Sequence, residues 1–198
     1  QLGLQYKSNR LNVLLDVYNM YFEDFIYLQN IGTVESDEGV FPAYQYNQAQ
    51  IVLNGIDLSA EYRIFKSFLL EGKYAMVRGE NRSERNYLIG MPADKYTFAL
   101  AYEREFKKEQ KIHSSLSLDY IAEQTRFAQG SDILPPPAAY QLLNFDVNYQ
   151  FKVKEADFSL ALVVKNVLNT EYRSYLNRFR YFAANPGRDV ALRLKLNL

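Results

Sequence analysis

The sequence predicts an all-β fold, an antiparallel up-and-down barrel wall that crosses a membrane, and three observations carry that prediction. Apolar and polar residues alternate with a two-residue period along most of the chain, the signature of strands with one greasy and one wet face. The links between those segments are alternately short and long. Several segments exceed the five or six residues of an ordinary globular strand and reach the roughly 9 to 11 that cross a bilayer at a tilt. Composition agrees: of 198 residues 48% are hydrophobic, with 17 Tyr and 13 Phe against 9 Gly and 6 Pro, which is too apolar for disorder. No apolar run approaches the roughly 18 residues of a spanning helix. Residues 1–8 lack the basic and apolar zones of a signal peptide.

Taken in order, about nine strands are expected, over 1–8, 11–29, 46–65, 67–79, 94–106, 111–126, 139–151, 156–168 and 188–198. The second is the least regular, because Asn19 and Glu23 fall on the face begun by Val13, Leu15 and Val17, so a bulge or register change is expected there. In the third, Ile56, Leu58, Ala60, Tyr62 and Ile64 alternate with Asp57, Ser59, Glu61 and Arg63. Its Asn54-Gly55 could make a hairpin turn, but a turn there would break the alternation of links, so a long strand with a bulge is expected. The fourth shows Phe68, Leu70, Gly72, Tyr74 and Met76 on one face. Tyr96, Phe98, Leu100 and Tyr102 do the same in the fifth, and Ile112, Leu116, Leu118 and Tyr120 in the sixth. The last three repeat the pattern through Leu143 to Phe151, Phe158 to Val164, and Val190 to Leu198.

The short links are Asn9-Arg10, Lys66-Ser67, 107–110 and 152–155. The long ones are about 30–45, 79–93, 124–138 and 170–187. Short turns at one end and long loops at the other are the habit of outer-membrane barrels. Aromatics at the short-turn end, Tyr62, Phe65, Phe68, Phe106, Tyr149, Phe151 and Phe158, suit an interfacial girdle. The wet face, with Glu61, Arg63, Glu103, Asp119, Asp146, Arg193 and Lys195, reads as a hydrated lumen.

Much chemistry is excluded. There is no Cys and one His, and 23 basic residues balance 23 acidic ones. That leaves no thiolate metal site, no cysteine nucleophile, no expected cofactor, metal centre or catalytic residue, and no basic surplus for nucleic acid. His113 is expected to be structural, for want of companion ligands. Glu35, Asp37 and Glu38 would hold a cation only if a turn gathered them, and a solvated acidic loop is the expectation. Pro135-Pro136-Pro137 should stiffen a loop mouth. The strongest ligand candidate is the loop from Thr170 to Arg188. It sets Arg173, Arg178, Arg180 and Arg188 among Tyr172, Tyr175, Phe179, Tyr181 and Phe182, with Glu171 its one acidic residue before Asp189. Guanidinium forks and aromatic faces suit an anionic, planar metal chelate, so Arg173, Tyr175, Arg178, Arg180 and Tyr181 are the expected contacts.

An ordered series of motifs resembles the TonB-dependent outer-membrane receptors. The series runs through Val17-Tyr18-Asn19-Met20-Tyr21-Phe22-Glu23-Asp24-Phe25-Ile26, Gly55-Ile56-Asp57-Leu58 with Ala60-Glu61-Tyr62, and Met91-Pro92-Ala93 with Lys95-Tyr96. It ends with Pro136 to Asn144 leading into Asp146-Val147-Asn148-Tyr149, then Val164-Lys165-Asn166-Val167-Leu168-Asn169-Thr170-Glu171-Tyr172, then Pro186-Gly187-Arg188. The resemblance implies that residues 1–198 are the C-terminal part of a plugged barrel of 22 strands, with the plug domain not present. It also implies an outer-membrane receptor that takes up a scarce nutrient, a ferric siderophore or haem, and breaks no bond. The implied partners are outer-membrane lipid and lipopolysaccharide, the protein's own N-terminal plug, the TonB complex acting through that plug, and the metal-chelate ligand. The family closes on an aromatic residue, whereas this sequence ends in Leu198. The alternatives are a complete small outer-membrane barrel (channel, adhesin or lipid-modifying enzyme), which needs an even strand count, and a soluble β-sandwich or lipocalin-like binder. The latter would have to cover Leu192, Leu194 and Leu196 with a second sheet.

Overall fold

One antiparallel sheet runs through the computed structural model of the chain, which describes residues 1–106 and 110–197. Its strands are β1 (Leu2–Lys7), β2 (Leu11–Ser36), β3 (Gly39–Phe65), β4 (Phe68–Asn81), β5 (Asn86–Tyr87), β6 (Lys95–Phe106), β7 (Gln110–Ile121), β8 (Tyr140–Val153), β9 (Ala156–Lys165) and β10 (Asp189–Asn197). Each long strand pairs with its sequence neighbour from β1 to β10, and the two-residue β5 pairs only with β4. Among the described residues nine long strands are therefore present where nine were expected. β1 and β10 are the two open edges, so these strands do not close on themselves as a small barrel would.

Cross-strand register shows why the alternation matters, because residues directly opposite each other share a face. Leu70 stands opposite Leu100, Leu100 opposite Leu116, Leu116 opposite Phe145, Phe145 opposite Val164, and Val164 opposite Val190. That single apolar row crosses six strands. On the other face Glu103, His113, Asn148, Ala161 and Arg193 form a row in the same way. No second layer covers the apolar face among the described residues, and Leu192 and Leu194 are each 70% exposed. A water-soluble sandwich would bury such side chains. A lipid-facing wall leaves them where they are.

Aromatic contacts mark both ends of the apolar band. At the short-turn end Phe65 meets Phe68 at 6.4 Å and Phe68 meets Tyr102 at 5.0 Å, while Phe151 lies 5.3 Å from both Tyr149 and Phe158. At the loop end Tyr74, Tyr96 and Tyr120 from β4, β6 and β7 stand side by side, with centroids 4.7 and 6.0 Å apart. Tyrosine rings, with a dry body and a polar hydroxyl, sit well at a lipid–water boundary, and phenylalanines join them in the aromatic girdles of such barrels.

The structure corrects three boundaries. The expected loop over 30–45 is instead a β-ribbon, in which Val34 pairs with Phe41 and Glu35 with Val40 around a turn at Asp37 and Glu38. Alternating β-formers extend the pairing, and Gly39 takes the positive φ of +132° that the turn exit needs. Glu35, Asp37 and Glu38 are exposed on its tip. β7 stops at Ile121 and β9 at Lys165, short of 126 and 168. One further backbone bond follows each end, from Ala122 to the Asp94 carbonyl and from Val167 to the Leu143 carbonyl, and beside them side-chain bonds at Gln124 and Asn166 take over from the regular ladder. The bulge in β2 lies at Glu23 and Asp24, between Phe22 and Phe25. Asn54-Gly55 stays mid-strand, as expected, but without a bulge: both its neighbours keep register there. A Cβ on Gly55 would fall 2.0 Å from Cζ of Tyr18, so glycine makes room for that ring. The expected short turn at 107–110 lies mostly outside the described residues, as does the closing Leu198.

The buried apolar cluster sits on the polar side, at the loop end, where Ala49, Ile51 and Leu88 pack with Phe25, Tyr27, Leu53 and Met91. It fastens the loop over 82–94 inward against the wall. The absence of a side chain at Gly79 permits that approach: a Cβ there would lie 2.8 Å from Sδ of Met91 and 2.9 Å from Cβ of Leu88. Gly79→Val is therefore expected to push this loop off the wall at a cost of about 1–3 kcal/mol. Limited proteolysis of the membrane-embedded protein should show new cleavage within 82–94 with the barrel intact. Unchanged cleavage would mean that the loop holds without this contact.

Candidate functional site

The last long loop is anchored before it is shaped. At its root Asn166 is buried and adopts a positive φ of 50°. Its backbone N–H donates to Oδ1 of Asn144 at 3.1 Å, and its side chain both donates to the Thr170 carbonyl and accepts from the Thr170 N–H, each at 2.8 Å. Across the root, Oδ1 of Asn169 accepts from the Arg188 N–H at 2.9 Å, and the Arg188 Nε donates to the Val167 carbonyl at 2.8 Å. Gly187 must be glycine for this closure, since a Cβ would lie 2.5 Å from that Asn169 oxygen. Farther out Asn185 accepts from the Ser174 N–H at 2.9 Å, and Tyr172 packs on Tyr140 with centroids 4.7 Å apart. The asparagines of the motif that suggested a family are thus the loop's fasteners.

Beyond this root the chain makes one 3-10 turn, Arg178–Tyr181, whose N-cap Asn177 accepts from the Phe179 N–H. The turn points Arg180 inward, 2% exposed. Its guanidinium Nη2 donates to Oδ2 of Asp132 at 2.6 Å and to the Leu134 carbonyl at 3.1 Å, and Nη1 donates to the Pro135 carbonyl at 3.0 Å. Tyr175 and Tyr181 lie against it, 5.2 and 4.7 Å from Cζ to ring centroid. The Tyr181 hydroxyl donates to Oδ1 of Asp132. Arg173 donates from Nη1 to the Arg180 carbonyl. Of the five expected contact residues, four therefore meet in one cluster with Asp132. Arg178 stands apart and exposed, beside Phe179 and Phe182, which are 75% and 84% exposed.

Asp132 was missed in the sequence, although one signal pointed to it: it is the sole acidic residue over 124–139. The three prolines do more than stiffen. A proline has no N–H to donate, and the carbonyls at Leu134 and Pro135 turn to Arg180 instead of joining a ladder. At the other end of that loop Gln124, also buried, donates to the Met91 and Pro92 carbonyls at 2.8 and 3.0 Å. Three long loops are thereby linked, and a polar cleft of about 160 Å³ remains where Tyr27, Gln29, Asn81 and Glu84 face residues 128–131.

Burial first, and then the bond to Asp132, push the Tyr181 hydroxyl up to about 12, with Tyr44 of the ribbon adding a smaller push the same way. A raised value means that the fold favours the protonated phenol. Its contribution is whole below the ordinary value of 10.0 and is lost as pH climbs through about 12. An absorbance titration should show a phenolate ionising at about 12 in the folded protein, and Tyr181→Phe should remove that step. A titration unchanged by that substitution would contradict the contact.

The lumen wall carries its own charges. His113 stands between Glu103, 3.5 Å from Nδ1, and Asp146, 3.7 Å from Nε2, and Arg63 reaches Glu103 at 3.7 Å. The two carboxylates flank opposite edges of the imidazole, a bridging arrangement rather than a shared metal pocket. No cluster of His, Asp and Glu suited to a metal ion occurs among the described residues. Nearer the loops, Asp119 accepts from the Thr97 hydroxyl at 2.6 Å and pairs with Lys95 at 3.2 Å. All seven residues expected on the wet face share this side of the sheet.

Comparison with known proteins places this geometry. The family model for the TonB dependent receptor-like β-barrel matches residues 1–167. No curated protein matches the chain. Among solved structures, the copper transporter OprC superposes with a TM-score of 0.78 at 21% identity, over 98% of this chain and 29% of its own. The ferric preacinetobactin receptor BauA from Acinetobacter baumannii does so with a TM-score of 0.67 at 14% identity, over 97% of this chain and 28% of its own. The chain thus spans less than a third of either.

Proposed function

This chain belongs to the TonB-dependent receptor-like β-barrel family, and from that premise we propose that residues 1–198 are the C-terminal wall of an outer-membrane receptor for active, TonB-dependent uptake of a ferric siderophore or haem. The observation that carries the reading is the pairing of a lipid-compatible outer face with a charged inner face, crowned by a loop of arginines and aromatics. A plug domain would fill the lumen, and the TonB complex would act through it. Lipid and lipopolysaccharide would surround the apolar face. Binding and passage, rather than bond making, are the whole task, so no catalytic residue is assigned.

The identity of the cargo rests on donor chemistry. Guanidinium groups and tyrosine faces suit an anionic chelate. Copper is the second reading, favoured by the likeness to OprC, but copper seeks imidazole, thiolate or thioether donors. This stretch offers one His, three Met and no Cys. Two measurements test the proposal. In outer-membrane extract, an antibody against the 170–187 loop should detect a polypeptide several times heavier than 23.1 kDa. Deleting the gene should abolish growth on one ferric siderophore or on haem as sole iron source, with copper accumulation unchanged. A native species near 23.1 kDa, or growth unaffected on every iron source, would end this reading.

A further inference from the structure

We propose that Asp132 is an internal stand-in for the ligand: it occupies the Arg180 guanidinium in the resting receptor, and an anionic chelate binds by displacing it and parting the two loops. This rests on the anionic-chelate reading above and adds the residue that makes that site selective for charge. A guanidinium presents its best bidentate edge through Nε and one Nη, two parallel N–H groups that match two anionic oxygens. Asp132 uses only half of that edge. Its Oδ2 accepts from Nη2 at 2.6 Å, while its Oδ1 turns to the Tyr181 hydroxyl. The Arg180 Nε is buried and has no acceptor. A buried donor without a partner carries an uncompensated desolvation cost. A carboxylate or catecholate that took both Nε and Nη2 would remove it.

The surroundings favour exchange over simple addition. Arg180 is already dehydrated between Tyr175 and Tyr181, with 3% of its side chain exposed. An incoming anion replaces one negative partner by another and does not strip fresh water from the guanidinium. The departing Asp132 is 15% exposed at rest and regains water when its loop, 128–135, swings out. A neutral or cationic chelate has nothing to exchange, because it would leave Arg180 buried and unpaired. Asp132 therefore acts as an autoinhibitory contact that only an anion relieves.

The test uses the whole receptor in detergent and two probes, ferric 2,3-dihydroxybenzoate as the anionic chelate and ferrioxamine B as a cationic one. Binding is read by equilibrium dialysis with radioactive iron, and loop opening by amide hydrogen exchange over 128–135. Asp132→Asn is expected to bind the anionic probe about tenfold tighter, the gain when an open state populated at about a tenth becomes the rule. In the wild type the same probe should speed exchange over 128–135. Asp132→Ala serves as a second variant, and both must give the wild-type heat-modifiable band. Should neither fold, the exchange response of the wild type decides alone. If the anionic probe binds but exchange stays unchanged and neither variant binds it more tightly, Asp132 is a plain structural tie and the chelate reading survives. If the receptor takes only ferrioxamine B, or neither probe, the anionic-chelate reading falls and this proposal falls with it.

Discussion

Leu116→Arg is expected to cost the barrel about 2–4 kcal/mol, the range for an arginine on the lipid face near the bilayer midplane. Leu116 lies on the central strand β7, opposite Leu100 and Phe145 on the apolar face. On its own strand it stands between Ile112 toward the short turns and Tyr120 in the tyrosine row at the loop end. An arginine there must either desolvate its charge or bend to reach an interface. One residue back, Ser115 lies opposite Ala101 and Asp146 on the polar face. Ser115→Lys should therefore change stability by no more than about 0.5 kcal/mol, as for an ordinary hydrated position. Urea unfolding of the whole receptor in lipid vesicles reads both. Equal losses for the two variants would show that neither face of this sheet meets lipid, and the membrane assignment would have to be abandoned.

Arg180→Ala should produce the second large effect, confined to the loops. Removing one partner of a buried ion pair costs about 3–5 kcal/mol, because the other charge stays behind. Here Asp132 would keep the Tyr181 hydroxyl and the Ile133 N–H, both on Oδ1, leaving Oδ2 without its partner, and the carbonyls of Leu134 and Pro135 would lose their donor. The expected result is rapid proteolytic cleavage within 128–135 and 174–184, with the barrel's heat-modifiable band and its unfolding midpoint unchanged. Arg180→Lys should fall between, since a single ammonium cannot reach three acceptors in a planar fork. Loops that stay resistant in Arg180→Ala would mean that other contacts hold them, and Arg180 would lose its place as the clamp.

These two predictions draw on different depths of information. The first was legible in the sequence: period-two alternation assigns Leu116 and Ser115 to opposite faces whatever the neighbours are. The same alternation located nine strands and their shared apolar side. It did not locate the ends of β7 and β9, because Gln124 and Asn166 stop the ladder through side-chain bonds whose partners, Met91, Pro92 and Asn144, are distant in sequence. Nor did it show that 30–45 continues as a ribbon. There the alternation of short and long links suggested a loop, while pairing to the opposite strand decided the conformation.

The site divides in the same way. Composition alone singled out the loop from Thr170 to Arg188, since four arginines among five aromatics with one acid are visible without a fold. Which arginine is exposed and which is sealed was not visible. Arg178 and Arg180 are two residues apart, and a single 3-10 turn sends one to solvent and the other to Asp132, 48 residues away. What this sequence determined by itself is the wall, because alternation is a local property of a strand and lipid and water reward it position by position. Only the tertiary structure decided the loops, because a side chain there takes its partner from whichever other loop the closed wall brings beside it.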